Sequence, residues 1–470
     1  MARGKKLPRL EKIKVFDTGA KGLSVGKAAD GRMVFINGAV PGDIVDVQVF
    51  KKRKQYFQGK AIHVHELSER RVEPKCSHFG TCGGCKWQNM SYNDQLYFKE
   101  KEVKNHLERI GGVTSELYLP ILGSSKPYWY RNKMEFSFSS SRWLTPEEIA
   151  KGNVIKSRNG LGFHIPGAWD KVLDIQQCFL QEEPSNAIRN TIKEFAENNG
   201  LSFFNPREQN GLLRTLMIRT SSIGELMILV QFFEKDISKS QLLMDHLRAK
   251  FPETTALLYV FNQKANDTLY DQNIMCHSGR DHIFEEMEGL SFKIDAKSFY
   301  QTNSDQAFEL YKIACDFADF QGDEIVYDLY TGIGTIAQFI AKKVKKVVGI
   351  ESVQEAIAAA KANAIANGIE NTEFYTGDMK SVFNDDFLSH HGKPDVIITD
   401  PPRDGMHPDV VAQLLKIMPS KIIYVSCNSA TQARDLALMK SHYLVSKSQA
   451  VDMFPQTHHC ENVVLLTKRI

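Results

Sequence analysis

The alternation of apolar and polar positions changes character twice along the chain. Residues 10–67 alternate in short runs, KIKVFD, RMVFING, DIVDVQVF and GKAIHVHEL, separated by the turn signals DTGAKG, ADG and PGD. Period-two alternation broken by tight turns predicts a small antiparallel, OB-like β-barrel, with residues 1–68 as one domain. Residues 69–290 are less regular, with strands expected at NKMEFSFSS, LRTLMIRTS, ELMILVQFF and TALLYVFNQ and few long helices, a strand-rich middle domain. One exception is SYNDQLYFKEKEVKNHLERIGG, 91–112, whose spacing predicts an amphipathic helix ending at Gly111. From 291 to 470 apolar strands (EIVYDLY, KKVVGIE, TEFYTGD, DVIITD, KIIYVS) alternate with helical patterns, of which EAIAAAKANAIANG is the clearest. That order predicts an α/β domain, Rossmann-like, with a parallel sheet wound on both faces.

Composition adds little until it is divided. With 470 residues, 42% hydrophobic and 24% charged, the chain has room for two to four ordinary globular domains. The net charge of +3 conceals an asymmetry: residues 1–70 hold fifteen Lys and Arg against seven Asp and Glu, a balance of +8, which leaves −5 for the remainder. A basic appended module points to nucleic acid. Its tip, KKRK at Lys51–Lys54, is followed by Tyr56 and Phe57, and interleaved charge and aromatics suit phosphate contacts and base stacking. No apolar run is long enough for a membrane span and MARGKKLPRL lacks the apolar segment of a secretory signal, so the expectation is a cytoplasmic protein with no membrane contact. No obligate protein partner is expected either.

DLYTGIGTIA, 328–337, sets Gly332 and Gly334 between a predicted strand and a helix. Nineteen residues after Gly332, Glu351 closes the next strand, where a carboxylate can accept both hydroxyls of a ribose. Asp378, after TEFYTG, ends the following strand within reach of an adenine edge. The same glycines satisfy a dinucleotide pattern, so a nicotinamide oxidoreductase competes on this strip alone. It leaves a later Asp-Pro-Pro-Arg and cysteine unexplained, whereas S-adenosylmethionine, a nucleoside without phosphate, accommodates them.

ITDPPRDGM, 398–406, holds Asp400 at a strand end, because two prolines fix the chain in an extended turn. Cys427 leaves the next strand, KIIYVS, on the same carboxyl edge, where open α/β sheets bind ligands. Core filler and metal ligand are the other readings of this cysteine; its place at the exit of the apolar run favours a nucleophile. A thiolate answers one chemical problem in particular: C5 of a pyrimidine is too poor a nucleophile to accept a methyl group until sulfur adds at C6. A base must then remove the C5 proton so that the sulfur can leave. DMFPQTHHCEN, 452–462, offers Glu461, His458 and His459 for that task.

FYQTN (299–303), DLYTGIGT, DPPR, SCNSATQARD and DMFPQTHHCEN, in this order, closely resemble the RNA uracil-5 methyltransferase family of the RumA and TrmA type. The resemblance implies a class I methyltransferase domain in which Cys427 is the nucleophile and Glu461 the base. It further implies that Gln301, Tyr330, Gly332, Gly334, Glu351, Asp378 and Asp400 line the cofactor and uracil pocket. Thr335 stands at a cofactor-contacting position where some members have Asn. The basic barrel resembles a TRAM domain, which the rRNA-modifying branch carries and the tRNA-modifying branch generally lacks. In the family the segment near 91–124 packs with the catalytic domain. WYRNKMEFSFS, 129–139, also resembles the family's middle domain, with Arg131 and Lys133 as candidate RNA contacts or ordinary strand residues.

CSHFGTCGGC spaces Cys76, Cys82 and Cys85 as three ligands of an incomplete metal site. Spacing leaves zinc and iron-sulfur equal. The resemblance implies a [4Fe-4S] cluster with Cys178 as fourth ligand, Cys276 being the fallback, in support of RNA binding and folding rather than of any redox step. The expected function is S-adenosylmethionine-dependent methylation of uracil C5 in RNA, most simply 23S rRNA. The alternatives are the same chemistry on tRNA and a non-catalytic RNA-binding protein of ribosome assembly.

Overall fold

The computed structural model describes residues 7–150 and 157–469. Strands β1 (Arg9–Gly19), β2 (Leu23–Lys27), β3 (Met33–Asn37), β4 (Ile44–Lys52) and β5 (Tyr56–Glu66) close into a barrel. Their inward positions, among them Ile13, Val15, Val34, Ile36, Val45 and Val47, form its core, as alternation requires. The expectation of an antiparallel barrel needs one correction: β3 and β5 run parallel. The chain reaches β5 through β4, so β5 returns beside β3 in the same direction and closes the ring.

A helix, Tyr92–His106, follows, capped by the Ser91 side chain, which accepts from the Asp94 amide. It continues through a wider turn, Leu107–Gly111, into a left-handed Gly112. The chain then forms β6 (Leu117–Leu122). The middle sheet comprises β7 (Lys133–Ser139), β8 (Gly160–Ile165), β9 (Ala168–Asp174), β10 (Leu213–Thr220), β11 (Leu226–Phe232), β12 (Ala256–Phe261) and β13 (Met275–Gly279). Helices Ser185–Asn198 and Ile237–Lys250 cover one of its faces.

A hairpin, β14 (His282–Met287) and β15 (Leu290–Asp295), leads into β16 (Ile325–Leu329), β17 (Lys346–Glu351), β18 (Thr372–Thr376), β19 (Val396–Thr399), β20 (Lys421–Ser426), β21 (Tyr443–Val451) and β22 (Glu461–Lys468). The sheet order is β18-β17-β16-β19-β20-β22-β21-β6. Strands β16 to β20 are parallel, as their continuous apolar runs predict, while β22 inserts antiparallel between β20 and β21. Alternate residues enter separate cores: Val326, Ile398 and Ile423 on one face, Tyr327, Ile397 and Ile422 on the other.

The linear division at 290/291 does not follow the strands, and β6 belongs to the segment near 91–124 that was expected to pack with the catalytic domain. A division at 290/291 falls inside β15, between its first two residues, and this strand is held to the C-terminal unit by Asn367 and Asn363, accepting from the Ser291 and Lys293 amides at 2.8 and 2.9 Å. Meanwhile β6 lies far upstream in sequence yet pairs in parallel with β21.

Lys99, on the first long helix, is fully buried and its Nζ lies 2.6 Å from Asp452 Oδ1. Breaking one side of such a pair strands a buried charge, so Lys99→Met is expected to lower unfolding free energy by about 3–5 kcal/mol. Denaturant unfolding checks this, and the double variant Lys99→Met/Asp452→Leu should recover much of the loss; a cost below ~1 kcal/mol for the single change would mean that Asp452 is solvated instead.

Candidate active site

The carboxyl ends of β16 to β20 lie along one edge of the sheet, where open α/β sheets carry a ligand crevice. After β16 the chain passes through Tyr330, at φ 64°, then Gly332 and Gly334 at φ 57° and 79°. A Cβ on Gly334 would lie 2.9 Å from the Phe374 ring, so both backbone shape and space demand glycine there. Thr335 is buried in the first turn of the helix Thr335–Ala341. Glu351 ends β17 and reaches back over the loop, its Oε2 accepting from the Gly332 amide at 3.3 Å and its Oε1 from the Ser352 and Val353 amides at 2.6 and 3.0 Å. Asp378 is exposed beyond β18 and accepts from the Lys380 amide at 3.0 Å. Gln301 lies in the segment before the helix Ser304–Ala318, its backbone carbonyl accepting from Asn132 Nδ2 at 2.9 Å.

Beneath this crevice lies a carboxylate that the sequence reading did not assign. Asp328, 1% exposed, accepts from Thr331 Oγ1 at 2.5 Å through Oδ2, while its Oδ1 has no partner. Thr399 Oγ1, at the end of β19, is likewise buried and unpartnered. Orphaned buried acceptors are costly, and their presence fits a crevice made for a polar ligand such as the nucleoside and amino-acid portions of S-adenosylmethionine. A carboxylate directly before the glycine loop was the available signal.

Asp400 follows β19, and burial together with the Asp328 charge pushes its pKa up to about 7. Burial pushes Asp328 to about 7 as well. The fold therefore retains protons that an unfolded chain releases near ~4, so it binds more protons between those values and its stability falls as pH rises from about 4 to about 7. Asp328→Asn is expected to flatten this fall in urea midpoints measured across the interval; an unaltered slope would show that Asp328 does not titrate there.

Cys427 and Glu461 come together through strand register. Ser426 pairs with Asn462 across β20 and β22, which sets the next residues, Cys427 and Glu461, opposite each other at the strand ends. Glu461 is 4% exposed. Burial raises its carboxyl pKa well above the usual range, the Asp400 charge adding to this and Arg403 opposing it. Burial pushes the Cys427 thiol up to about 11, with Glu461 and Asp400 reinforcing and Arg403 offsetting. The loop bearing Arg403 is tied to the helix after the cysteine: its carbonyl accepts from Asn428 Nδ2 at 3.0 Å and Thr431 Oγ1 at 3.1 Å, and Arg434 Nη2 donates to Asp404 O at 2.8 Å. DPPR and SCNSATQARD thus fold as one unit.

The two histidines that competed with Glu461 are pushed down by burial, His458 to about 3 and His459 to about 4, with nearby positive charges adding to the shift. Imidazoles so reluctant to take a proton are poor bases. The loop between Asp452 and Glu461 is held from three sides. Asn303 Nδ2 donates to Met453 O at 2.9 Å, Gln306 Nε2 to Asp452 O at 3.0 Å, and the Lys86 and Trp87 amides to Gln456 O at 2.9 and 3.1 Å. The barrel also abuts it, since a Cβ on Gly22 would lie 3.0 Å from that of His458.

Lys86 and Trp87 directly follow the cysteine segment. Cys76, Cys82, Cys85 and Cys178 line one cavity of about 360 Å³ together with Arg131 and Lys133. Among the described residues no three His, Cys, Asp or Glu side chains converge closely enough to hold a metal ion, so the expected metal cluster gains no support from a ready ligand group. The four sulfurs surround a space rather than a point. Cys276 lies elsewhere, exposed on edge strand β13. At the barrel tip Lys51–Lys54 are exposed, but Phe57 is 2% exposed beneath Arg32, whose Cζ is 3.9 Å from the ring centroid. Phe57 is a core residue, and the expectation that it stacks on bases is corrected. Among the described residues no helix is long and apolar enough to cross a membrane.

Residues 280–469 match the family described as tRNA (Uracil-5-)-methyltransferase, and residues 11–62 match the TRAM domain. An RNA methyltransferase of Bacteroides thetaiotaomicron is 51% identical over 96% of this chain and all of its own. One of Porphyromonas gingivalis is 51% identical over 97% of this chain and 99% of its own. The crystal structure of the Pyrococcus abyssi tRNA (uracil-54, C5)-methyltransferase with S-adenosyl-L-homocysteine superposes with a TM-score of 0.74 at 27% identity, covering 97% of this chain and all of that one.

Proposed function

Because the chain belongs to the RNA uracil-5 methyltransferase family, we propose that it methylates C5 of a uracil in structured RNA through a covalent adduct of Cys427. The observation that carries this reading is the register of β20 against β22, which faces the thiol of Cys427 with the buried carboxyl of Glu461.

S-adenosylmethionine would lie along the crevice, with Glu351 on its ribose, Asp378 and Tyr330 toward the base and Gln301 and Asp328 toward its amino-acid end, Gly332, Gly334 and Thr335 shaping the loop. When bound it supplies an electrophilic methyl group. The target base must leave its stack to expose C6 to sulfur. Asp400 receives its polar edge and distinguishes uracil from cytosine. Cys427 Sγ then adds to C6 while its proton passes to Asp400, whose raised pKa lets it hold one near neutral pH, leaving Glu461 ionised for the later step. After C5 is methylated, Glu461 takes the C5 proton, the electron pair left behind forms the C5–C6 double bond and expels the sulfur, and the thiolate regains its proton from Asp400.

Two substrates fit. The barrel speaks for 23S rRNA by the family resemblance, while the likeness of nearly the whole chain to a tRNA enzyme speaks for tRNA. Transfer of labelled methyl from S-adenosylmethionine to unmodified 23S rRNA and tRNA transcripts, with products digested to nucleosides, tests both: label in 5-methyluridine is expected, and label in another nucleoside or in none would overturn the proposal.

We further propose a [4Fe-4S] cluster held by Cys76, Cys82, Cys85 and Cys178, a reading supported by the single cavity that all four line. It would brace the segment whose amides bind Gln456. Anaerobic preparations are expected to contain iron and sulfide with visible absorption that is lost in air; stoichiometric zinc without sulfide would exclude the cluster.

A further inference from the structure

A second cavity, of about 230 Å³, opens on the face of the middle sheet. Its floor is built from side chains of three neighbouring strands, Glu135 from β7, Thr215 and Met217 from β10, and Leu229 and Gln231 from β11. The loop around Asp267 and the turn at Lys297 make its walls. Lys297 is four residues from Gln301, so the cavity adjoins the active-site segment along the chain.

Gln231 is 3% exposed. Its Nε2 donates to Asp267 O at 3.0 Å, which fixes the amide orientation and leaves Oε1 buried without a partner. Gln231 lines the cavity with Thr215, Glu135 and Lys133, and its recessed, vacant Oε1 suits a donor that projects beyond a ring, an exocyclic amino group rather than a ring N–H. Nothing in the methyl-transfer chemistry uses this acceptor.

Two aromatic rings are exposed on the bordering segments, Tyr270 at 72% and Phe299 at 70%. Their backbone is not loose: Arg219 donates to Asp295 O and Ser298 O at 3.2 and 3.1 Å, and Lys297 Nζ to Tyr270 O at 3.1 Å. Exposed rings on fixed backbone beside a lysine are the elements that bind unpaired RNA, stacking bases while the cation meets phosphate.

We propose that this cavity receives a second unpaired nucleobase of the RNA substrate, one bearing an exocyclic amino group, which donates to Gln231 Oε1 while Tyr270 and Phe299 stack on adjoining bases. The proposal rests on the RNA methylation reading for its choice of ligand. Physically the two sites belong together, since extruding a uracil unstacks its neighbours, and holding one of them elsewhere keeps the target from returning.

The test is equilibrium binding of the full-length protein to fluorescein-labelled single-stranded RNA pentamers A5, C5 and U5. Wild type is expected to prefer A5 and C5, and Gln231→Leu to bind them no better than U5. Gln231→Met, equal in size and also without an acceptor, should lose the preference too, and urea midpoints within error of wild type control for folding. Tyr270→Ala and Phe299→Ala should weaken all three pentamers at least about fivefold. Absence of a preference in wild type, or its persistence in Gln231→Leu, would overturn the proposal. Binding does not depend on turnover: a preference that follows Gln231 in a protein inert toward RNA would remove the methylation reading alone, whereas turnover with unaltered pentamer binding in Gln231→Leu would remove this site alone.

Discussion

Cys427→Ala is expected to abolish methyl transfer, by on the order of the 10⁶-fold seen when a catalytic nucleophile is removed, while S-adenosylmethionine binds within about twofold of wild type. The residue is at the end of β20, one strand beyond the Asp400 turn, and none of the proposed ribose or adenine contacts depends on it. Without sulfur addition at C6, C5 has no carbanion character, so position and affinity cannot compensate. The intact enzyme should also form a stable adduct with RNA containing 5-fluorouridine, because fluorine cannot be removed as a proton, and the alanine variant should form none. Both are read by methyl incorporation and by denaturing electrophoresis; turnover by the alanine variant would refute the nucleophile.

Glu461→Gln is expected to separate the two halves of the reaction. Sulfur addition and methylation precede proton removal, so the variant should accumulate a methylated RNA–protein complex and release product at least about 10²-fold more slowly, the lower end for losing a general base. Glutamine fills the same space opposite Cys427 and takes the Asp400–Glu461 repulsion away, so the fold should not suffer. Single-turnover mixing with labelled cofactor, quenched in denaturant, shows where label resides. Rapid appearance of free methylated RNA would assign the proton to another group. His458 and His459 are weak candidates for it, because burial among cations depresses their affinity for protons.

Much of the C-terminal site is legible before any coordinates. The apolar runs ending in Tyr330, Glu351, Asp400 and Cys427 announce parallel strands by their length, and a parallel sheet puts all their exits on one edge. The nearness of Glu461 to Cys427 has a different status. Its motif marks it, but β22 runs antiparallel between β20 and β21, and only that insertion turns a strand's beginning toward the other strands' ends. The barrel's parallel β3–β5 pair escaped because alternation does not state which strands become neighbours, and the burial of Phe57 because alternation separates Tyr56 from Phe57 without saying which of the two faces lies inward.

The sequence by itself determined the strand and helix periods, the glycine loop, the order of motifs and the residue types able to do the chemistry, because these depend on local backbone geometry and on side-chain identity. Tertiary structure decided what depends on distance through space rather than along the chain. It paired Lys99 with Asp452, 353 residues away, drew β6 into the catalytic sheet, set four cysteines from two segments around one cavity, and buried Asp328, Asp400 and Glu461 together. A carboxylate's proton affinity follows from how much water and which charges surround it, and those are properties of the packed molecule alone.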